Sequence, residues 1–251
     1  MTRKKGFVSS SGVRISDDFR ENLIIDRYHP SFVGMRQSKI KRLKSENSED
    51  AISWNVFRSL GQIDPAKWVP SIFKQAFGFE APNELKNTFV ELWKNVVPPP
   101  ALLETGDEGI SEIDIIIENP HWVMVIEAKY KSDISTGTTT RPERDQILRN
   151  IDVGSYYAGV RDFYFALLML DESKSPKGVA AVNRYKSERA ISEALPHRKD
   201  DLSNIRGIGV LTWSGMALVL EESNKNDPRV DELFYAKRAV EWLSTKGVNP
   251  K

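Results

Sequence analysis

The sequence predicts an α/β protein with a central mixed β-sheet flanked by helices. Helical and extended patterns alternate along the chain. The most apolar stretches are seven to nine residues long, the length of buried strands. Two of them are separated by only Asn119, Pro120 and His121, a hairpin spacing.

Element by element, residues 1–35 are too mixed to assign and residues 36–47 are polar and basic. Ser48 ahead of Glu49 and Asp50 is a helix N-cap followed by acids that suit the positive end of the helix dipole. Ile52, Val56, Phe57 and Leu60 repeat at helical spacing, and Gly61 ends a helix over 48–60. A short helix is expected over 66–78, with Trp68, Ile72, Phe73 and Phe77 on its apolar face. Residues 89–96 fit either a strand or a helix end, stopped by the prolines at 98–100. Residues 112–118 and 122–130 are apolar on both faces, as in the middle of a covered sheet, and the short turn makes them an antiparallel hairpin. A polar loop over 131–142 leads to a helix over 143–159, a buried strand over 163–170 and a helix over 184–195. Residues 207–213 and 216–222 read as a second hairpin around Ser214 and Gly215, and 229–246 as a closing amphipathic helix. With no internal repeat, this gives one domain over 45–251 behind a basic N-terminal arm over 1–44.

A chain of 251 residues, 40% hydrophobic and 28% charged, has enough apolar surface for a sizeable core, which excludes disorder throughout. The absence of cysteine excludes disulfides, thiolate zinc sites, iron–sulfur clusters and a cysteine nucleophile. His29, His121 and His197 are far apart in sequence, so carboxylates would hold any metal, which points to Mg²⁺, Mn²⁺ or Ca²⁺. No apolar run reaches the ~18 residues of a membrane span, and the basic start lacks the apolar stretch of a signal peptide. A soluble cytoplasmic protein without a membrane partner is expected. The net charge is only +1, yet residues 1–45 carry eleven basic against four acidic side chains, a net of +7 that leaves −6 for the rest. A basic arm on an acidic body suits contact with a phosphate backbone, although a solvated terminus explains the charge equally well.

Glu127 and Lys129 lie in the otherwise apolar stretch 123–130, where alternation puts them on the face of Val123 and Val125. Two charges beside a core cost several kcal/mol unless they are paired or bind an ion. A hairpin folded near 119–121 brings Asp114 opposite the stretch around 126–128, so Asp114, Glu127 and Lys129 converge. Neighbouring carboxylates repel, and a divalent cation relieves the repulsion. The competing reading is a structural Asp–Lys–Glu cluster at the sheet edge. Glu49 shares a helical face with Ile52, Ser53, Val56 and Leu60 and can point inward, with Asp50 as the competing candidate. Gln146 falls early in the helix at 143–159, seventeen residues after Lys129. The loop 131–142, with Lys131, Thr138–Thr140 and Arg141, is a candidate phosphate contact or lid. The six tryptophans fit core positions better than base stacking.

Asp114, then twelve residues, then Glu127-Ala128-Lys129 on a strand resembles the signature of the PD-(D/E)xK nuclease superfamily. The resemblance covers about 45–170 and implies a restriction-endonuclease-like core, with 171–251 as a C-terminal extension. It implies that Asp114 and Glu127 bind Mg²⁺, with Mn²⁺ as substitute, helped by the Ala128 backbone carbonyl and by Glu49, directly or through water. Lys129 would position or activate water or steady transition-state charge, and Gln146 would order the site or touch nucleic acid. The implied activity is Mg²⁺-dependent hydrolysis of DNA phosphodiester bonds, as an endonuclease on double-stranded DNA, for which a homodimer offers two symmetric sites. Two positions depart from the family pattern. Ile113 stands where a proline usually precedes the aspartate, and Asn150 stands where exonuclease-like relatives carry a tyrosine, the nearest here being Tyr156 and Tyr157. The alternatives are a catalytically inactive member serving as a nucleic-acid-binding or assembly module, and an unrelated Mg²⁺-dependent α/β enzyme. No phosphate-cradling Gly-rich loop supports nucleotide hydrolysis.

Overall fold

The computed structural model describes residues 6–104, 109–137, 144–198, 201–225 and 229–250. Arg3, Lys4 and Lys5 of the basic arm, and Thr138–Thr140 and Arg141 of the candidate lid, lie outside these residues.

A five-stranded mixed sheet forms the centre. Its strands are β3 (Phe89–Val96), β4 (Ser111–Glu118), β5 (Trp122–Ala128), β6 (Asp162–Met169) and β7 (Ile205–Thr212), in that spatial order. The expected hairpin is present: β4 and β5 run antiparallel, with Ile115 opposite Ile126 and Ile117 opposite Met124. β3 joins the same antiparallel half, which settles 89–96 as a strand. β6 and β7 continue parallel to β5, so the sheet changes sense at β5.

Helices cover both faces. On one face lie α2 (Glu49–Leu60), α3 (Val69–Phe77), α8 (Trp213–Glu222) and α9 (Val230–Thr245). Their core includes Val56, Phe57, Leu60, Phe73, Trp122, Met124 and Trp213. On the other lie α5 (Gln146–Ala158), α6 (Pro176–Tyr185) and α7 (Glu188–Ala194), packed on Val123, Val125, Phe163 and Phe165. Burial from both sides is why these strands read as continuous apolar runs. Trp54, Trp68, Trp122 and Trp213 are each 1% exposed or less, so they are core residues as expected.

Three expectations are corrected. Residues 213–222 form helix α8, not the second strand of a hairpin. The Thr212 hydroxyl accepts the Gly215 N–H at 3.0 Å and caps the helix, so Gly215 sits in a first helical turn. The helix expected over 184–195 is shorter: α6, which begins at Pro176, ends at Tyr185, and α7 starts only at Glu188, capped by Ser187. The basic N-terminal arm is folded onto the body. A small sheet of β1 (Gly6–Val8) and β2 (Arg14–Ser16) leads to α1 (Gln37–Leu43). Phe19, Leu23, Phe32 and Leu43 then bury themselves against Trp54 of α2 and Trp93 of β3. Buried Asn22 pins the segment, donating to the carbonyls of Leu43 and Ser45, each at 2.7 Å. The remaining short helix is α4 (Pro100–Glu104).

Trp93 has a left-handed backbone, φ 58°, which costs energy for a bulky residue. Leu92 pairs with Ile115 and Lys94 with Ile113, while Trp93 and Asp114 between them are left out of the ladder. Leu92 and Trp93 consequently both pack toward α2, and the indole stacks on Trp54 at 5.1 Å and 18° between planes. In a regular strand it would point to the face of its cross-strand neighbour, Asp114.

Candidate active site

The site lies at the carboxyl end of β5, where α2 arrives from one face of the sheet and α5 from the other. Both helices present their N-termini. Ser48 caps α2 by accepting the Ala51 N–H at 3.1 Å, and Asp145 caps α5 by accepting that of Leu148 at 2.8 Å. Two positive helix ends therefore face one cleft, a setting that attracts anions. The cleft has a volume of about 500 Å³, and Glu49, Asp114, Glu127, Lys129 and Gln146 all line it. The five side chains singled out in the sequence are thus brought together.

One step beyond Ile115 and Ile126, the hairpin register puts Asp114 directly across from Glu127. Asp114 Oδ2 accepts the Ala128 N–H at 3.0 Å. In an extended strand a residue's N–H and C=O point the same way, so the Ala128 carbonyl is also on the Asp114 side. Glu127 is 2% exposed and heavily engaged. Its Oε1 accepts from Lys129 Nζ and from Gln146 Nε2, each at 2.6 Å, and its Oε2 from the Asn150 amide. A carboxylate offers about four lone-pair positions, so one remains. Glu49 Oε2 accepts the Tyr130 N–H at 2.9 Å and the Ser132 hydroxyl at 3.1 Å, and Oε1 faces Lys129 Nζ at 3.6 Å. Asp50 also borders the cleft but pairs with Lys39 and Arg42, at 3.4 and 3.5 Å, so of the two acids Glu49 is the one that faces Lys129.

The charges do not balance. Three carboxylates face one ammonium. Burial and the nearby Glu127 push the Asp114 carboxyl well above its usual range. Burial likewise raises Glu49, against the pull of Lys129 and the Tyr130 N–H. Burial alone would lower Lys129, but Glu127, Glu49 and Asp114 together raise it, so it stays protonated. Asp114 is nevertheless partly exposed: it lies on the cleft floor, walled by protein yet open to solvent.

Among the described residues, no three acidic or histidine side chains are gathered to ligate one ion by themselves. Asp114 Oδ1, Glu49 Oε1, the remaining position on Glu127 and the Ala128 carbonyl are oxygen donors, the type that a hard cation takes together with several waters. None of the three histidines lines the cleft. His197 and Arg198 fold inward onto the fully buried Asp152, at 2.9 and 3.0 Å, a structural network on the far side of α5.

Sequence reasoning missed several members. Asn150 is one helical turn after Gln146, and that i, i+4 spacing is the signal that joins it to Glu127. Ser132 and Asn47 follow or precede the core motifs in loops, where no periodicity marks them. Lys39, 5% exposed, pairs with Glu112 and Asp50, and its Nζ lies 4.3 Å from the Trp93 ring centre. No family model, curated protein or solved structure matches the chain.

Proposed function

We propose that the chain is a metal-dependent nuclease that hydrolyses DNA phosphodiester bonds, acting as an endonuclease on double-stranded DNA. The observation that supports this best is the convergence of Asp114, Glu127 and Lys129, with Glu49 and Gln146, in one cleft beneath two helix N-termini. The cleft lies beyond the carboxyl end of β5, the strand at which the sheet passes from antiparallel to parallel. Asp114, Glu127, Glu49 and the Ala128 carbonyl would hold Mg²⁺ or Mn²⁺. When bound, the cation supplies neutralisation of charge on the phosphate and leaving oxygen and a lowered water pKa.

The protein groups do the positioning. Gln146 and Asn150 fix Glu127 from one side while Lys129 fixes it from another. An ammonium has three donors. Lys129 directs one at Glu127 and one toward Glu49, which leaves a third for a phosphate oxygen as charge develops. The helix ends favour the anionic backbone. A symmetric homodimer would place one site on each strand of the duplex, and a cytoplasmic location accords with this reading.

One observation favours a second reading. Three donors already engage Glu127, as they would in a purely structural cluster of an inactive binding module. A cleavage assay separates the two. It compares plasmid, linear duplex, single-stranded DNA and RNA in EDTA, Mg²⁺ and Mn²⁺, beside the Asp114→Asn protein. Metal-dependent cleavage lost in the variant supports the nuclease. No cleavage, together with no stabilisation by Mn²⁺, supports the inactive module.

A further inference from the structure

Two polar cavities meet at Asn47 and Lys131. One is the cleft above. The other, about 390 Å³, lies on the far side of that pair, and Ser11, Gly12, Glu46, Tyr130, Thr245 and Lys246 contribute to its walls. Lys131 Nζ donates to Asn47 Oδ1 at 2.8 Å, so the two residues form a bar between the cavities. Lys131 is exposed and only two residues beyond Lys129.

The second cavity is built, not a gap between loose ends. Its walls come from the β1–β2 turn, the loop before α2, the residues after β5 and the end of α9. Lys246 Nζ donates to the Glu46 carbonyl at 2.8 Å, and the Tyr130 hydroxyl donates to the Lys246 carbonyl at 3.2 Å. The Arg14 N–H donates to Glu46 Oε1 at 2.7 Å. These bonds tie the N-terminal segment, α2, β5 and α9 around one space. Its chemistry is two ammonium groups, Lys131 and Lys246, three hydroxyls, Ser11, Thr245 and Tyr130, the last bonded to the Lys246 carbonyl, and one acid, Glu46, which the Arg14 N–H engages. Such a wall suits a hydroxyl-rich anion.

The catalytic cleft is asymmetric in the same sense. Toward α1 the charges at its border are paired, Asp50 with Lys39 and Arg42 and Glu112 with Lys39, while toward β5 Lys131 donates to the neutral Asn47 amide. A polyanion lying across the cleft therefore gains more from the β5 side. We infer that the second cavity is a subsite for the same nucleic-acid strand, receiving the nucleotide and phosphate next to the one cleaved. Lys131 serves both cavities, and Ser11 and Lys246 line the far end. This rests on the nuclease reading and extends it, since it makes the substrate a polymer with a defined exit direction.

The test is duplex binding in EDTA, where cleavage does not intervene, read by fluorescence anisotropy over a range of salt concentrations. Loss of one phosphate contact in Lys131→Ala should reduce the slope of log affinity against log salt by about 0.9. Ser11→Lys should tighten binding and Ser11→Glu should weaken it, because Ser11 sits in an exposed turn that tolerates either side chain. Arg189→Ala, on α7 at the opposite face of the sheet, should leave the slope unchanged. If the parent cleaves DNA with Mg²⁺ while the Lys131 and Ser11 variants bind like the parent, the subsite is wrong and the nuclease stands. If the parent neither binds nor cleaves DNA, both fail.

Discussion

The charge imbalance in the cleft makes a quantitative prediction. With Glu49, Asp114 and Glu127 ionised against Lys129, the group carries a net charge of −2. Asp114→Asn removes one negative charge and can keep the Ala128 N–H as a hydrogen-bond donor to its amide oxygen. Like charges directly across a strand pair cost up to about 1 kcal/mol. The variant should therefore be about 1 kcal/mol more stable than the parent in EDTA at pH 8, a rise of roughly 2–4 °C in Tm for a domain of this size. Metal should reverse the order. A cation at a hundred times its Kd adds ~2.7 kcal/mol to the parent, or roughly 5–11 °C, and little to the variant. Differential scanning calorimetry of both proteins, in EDTA and in a Mn²⁺ series, reads all four values. A variant that is no more stable in EDTA, and that gains as much from Mn²⁺ as the parent, would refute both the crowding of these carboxylates and their role as metal ligands.

Lys129→Met should leave Glu127 without its charged partner. Breaking a buried pair costs about 3–5 kcal/mol, and the partial exposure of Glu49 puts the loss near the lower figure, with cleavage falling by roughly 10²–10³-fold, checked by urea unfolding and a plasmid assay. Gly209→Ala should lower stability by roughly 1–3 kcal/mol or more in thermal melts. Its methyl group would lie 1.9 Å from the Ala76 carbonyl oxygen, which is backbone and has little room to yield. Glu232, 1% exposed, would be raised by burial alone, but Lys67 Nζ and the N–H groups of Asp64 and Arg229 hold its carboxyl down to about 2. Its folded value lies below the unfolded one, so its contribution is present above about pH 4.5 and is lost as pH falls through about 2. Glu232→Gln should cost about 2 kcal/mol at pH 7 and much less near pH 2, read from denaturant midpoints at the two pH values.

The α/β class and the convergence of Asp114, Glu127 and Lys129 are both legible in the sequence. Charges inside apolar strands are expensive, so Glu127 and Lys129 stood out, and the three-residue turn fixed which residue of β4 faced them. Helical spacing offered Glu49 and Asp50 equally, because N-cap chemistry favours an acid at either position. Only the placement of Lys39 and Arg42 on α1 draws Asp50 away, and that contact is tertiary. The run from Trp213 to Leu220 reads as a hairpin because residues 216–220 are all apolar, which hides the helical period of the buried positions 213, 216, 217 and 220, and because Gly215 resembles a turn residue. The N-terminal segment escaped for the opposite reason. Its buried residues, Phe19, Leu23, Phe32 and Leu43, are scattered through short turns with no period, and its basic residues dominate the composition.

The left-handed backbone at Trp93 bears on how copies of this chain can associate. β3 is an edge of the main sheet, and an edge strand is a template on which another chain can add. A residue that leaves the ladder in the middle of that strand interrupts the row of backbone groups an incoming strand would need. Extension of the sheet through β3 is therefore disfavoured. A symmetric pair of these molecules would have to meet elsewhere, through the β7 edge or through side-chain surfaces, leaving the backbone opposite Asp114 undisturbed by assembly.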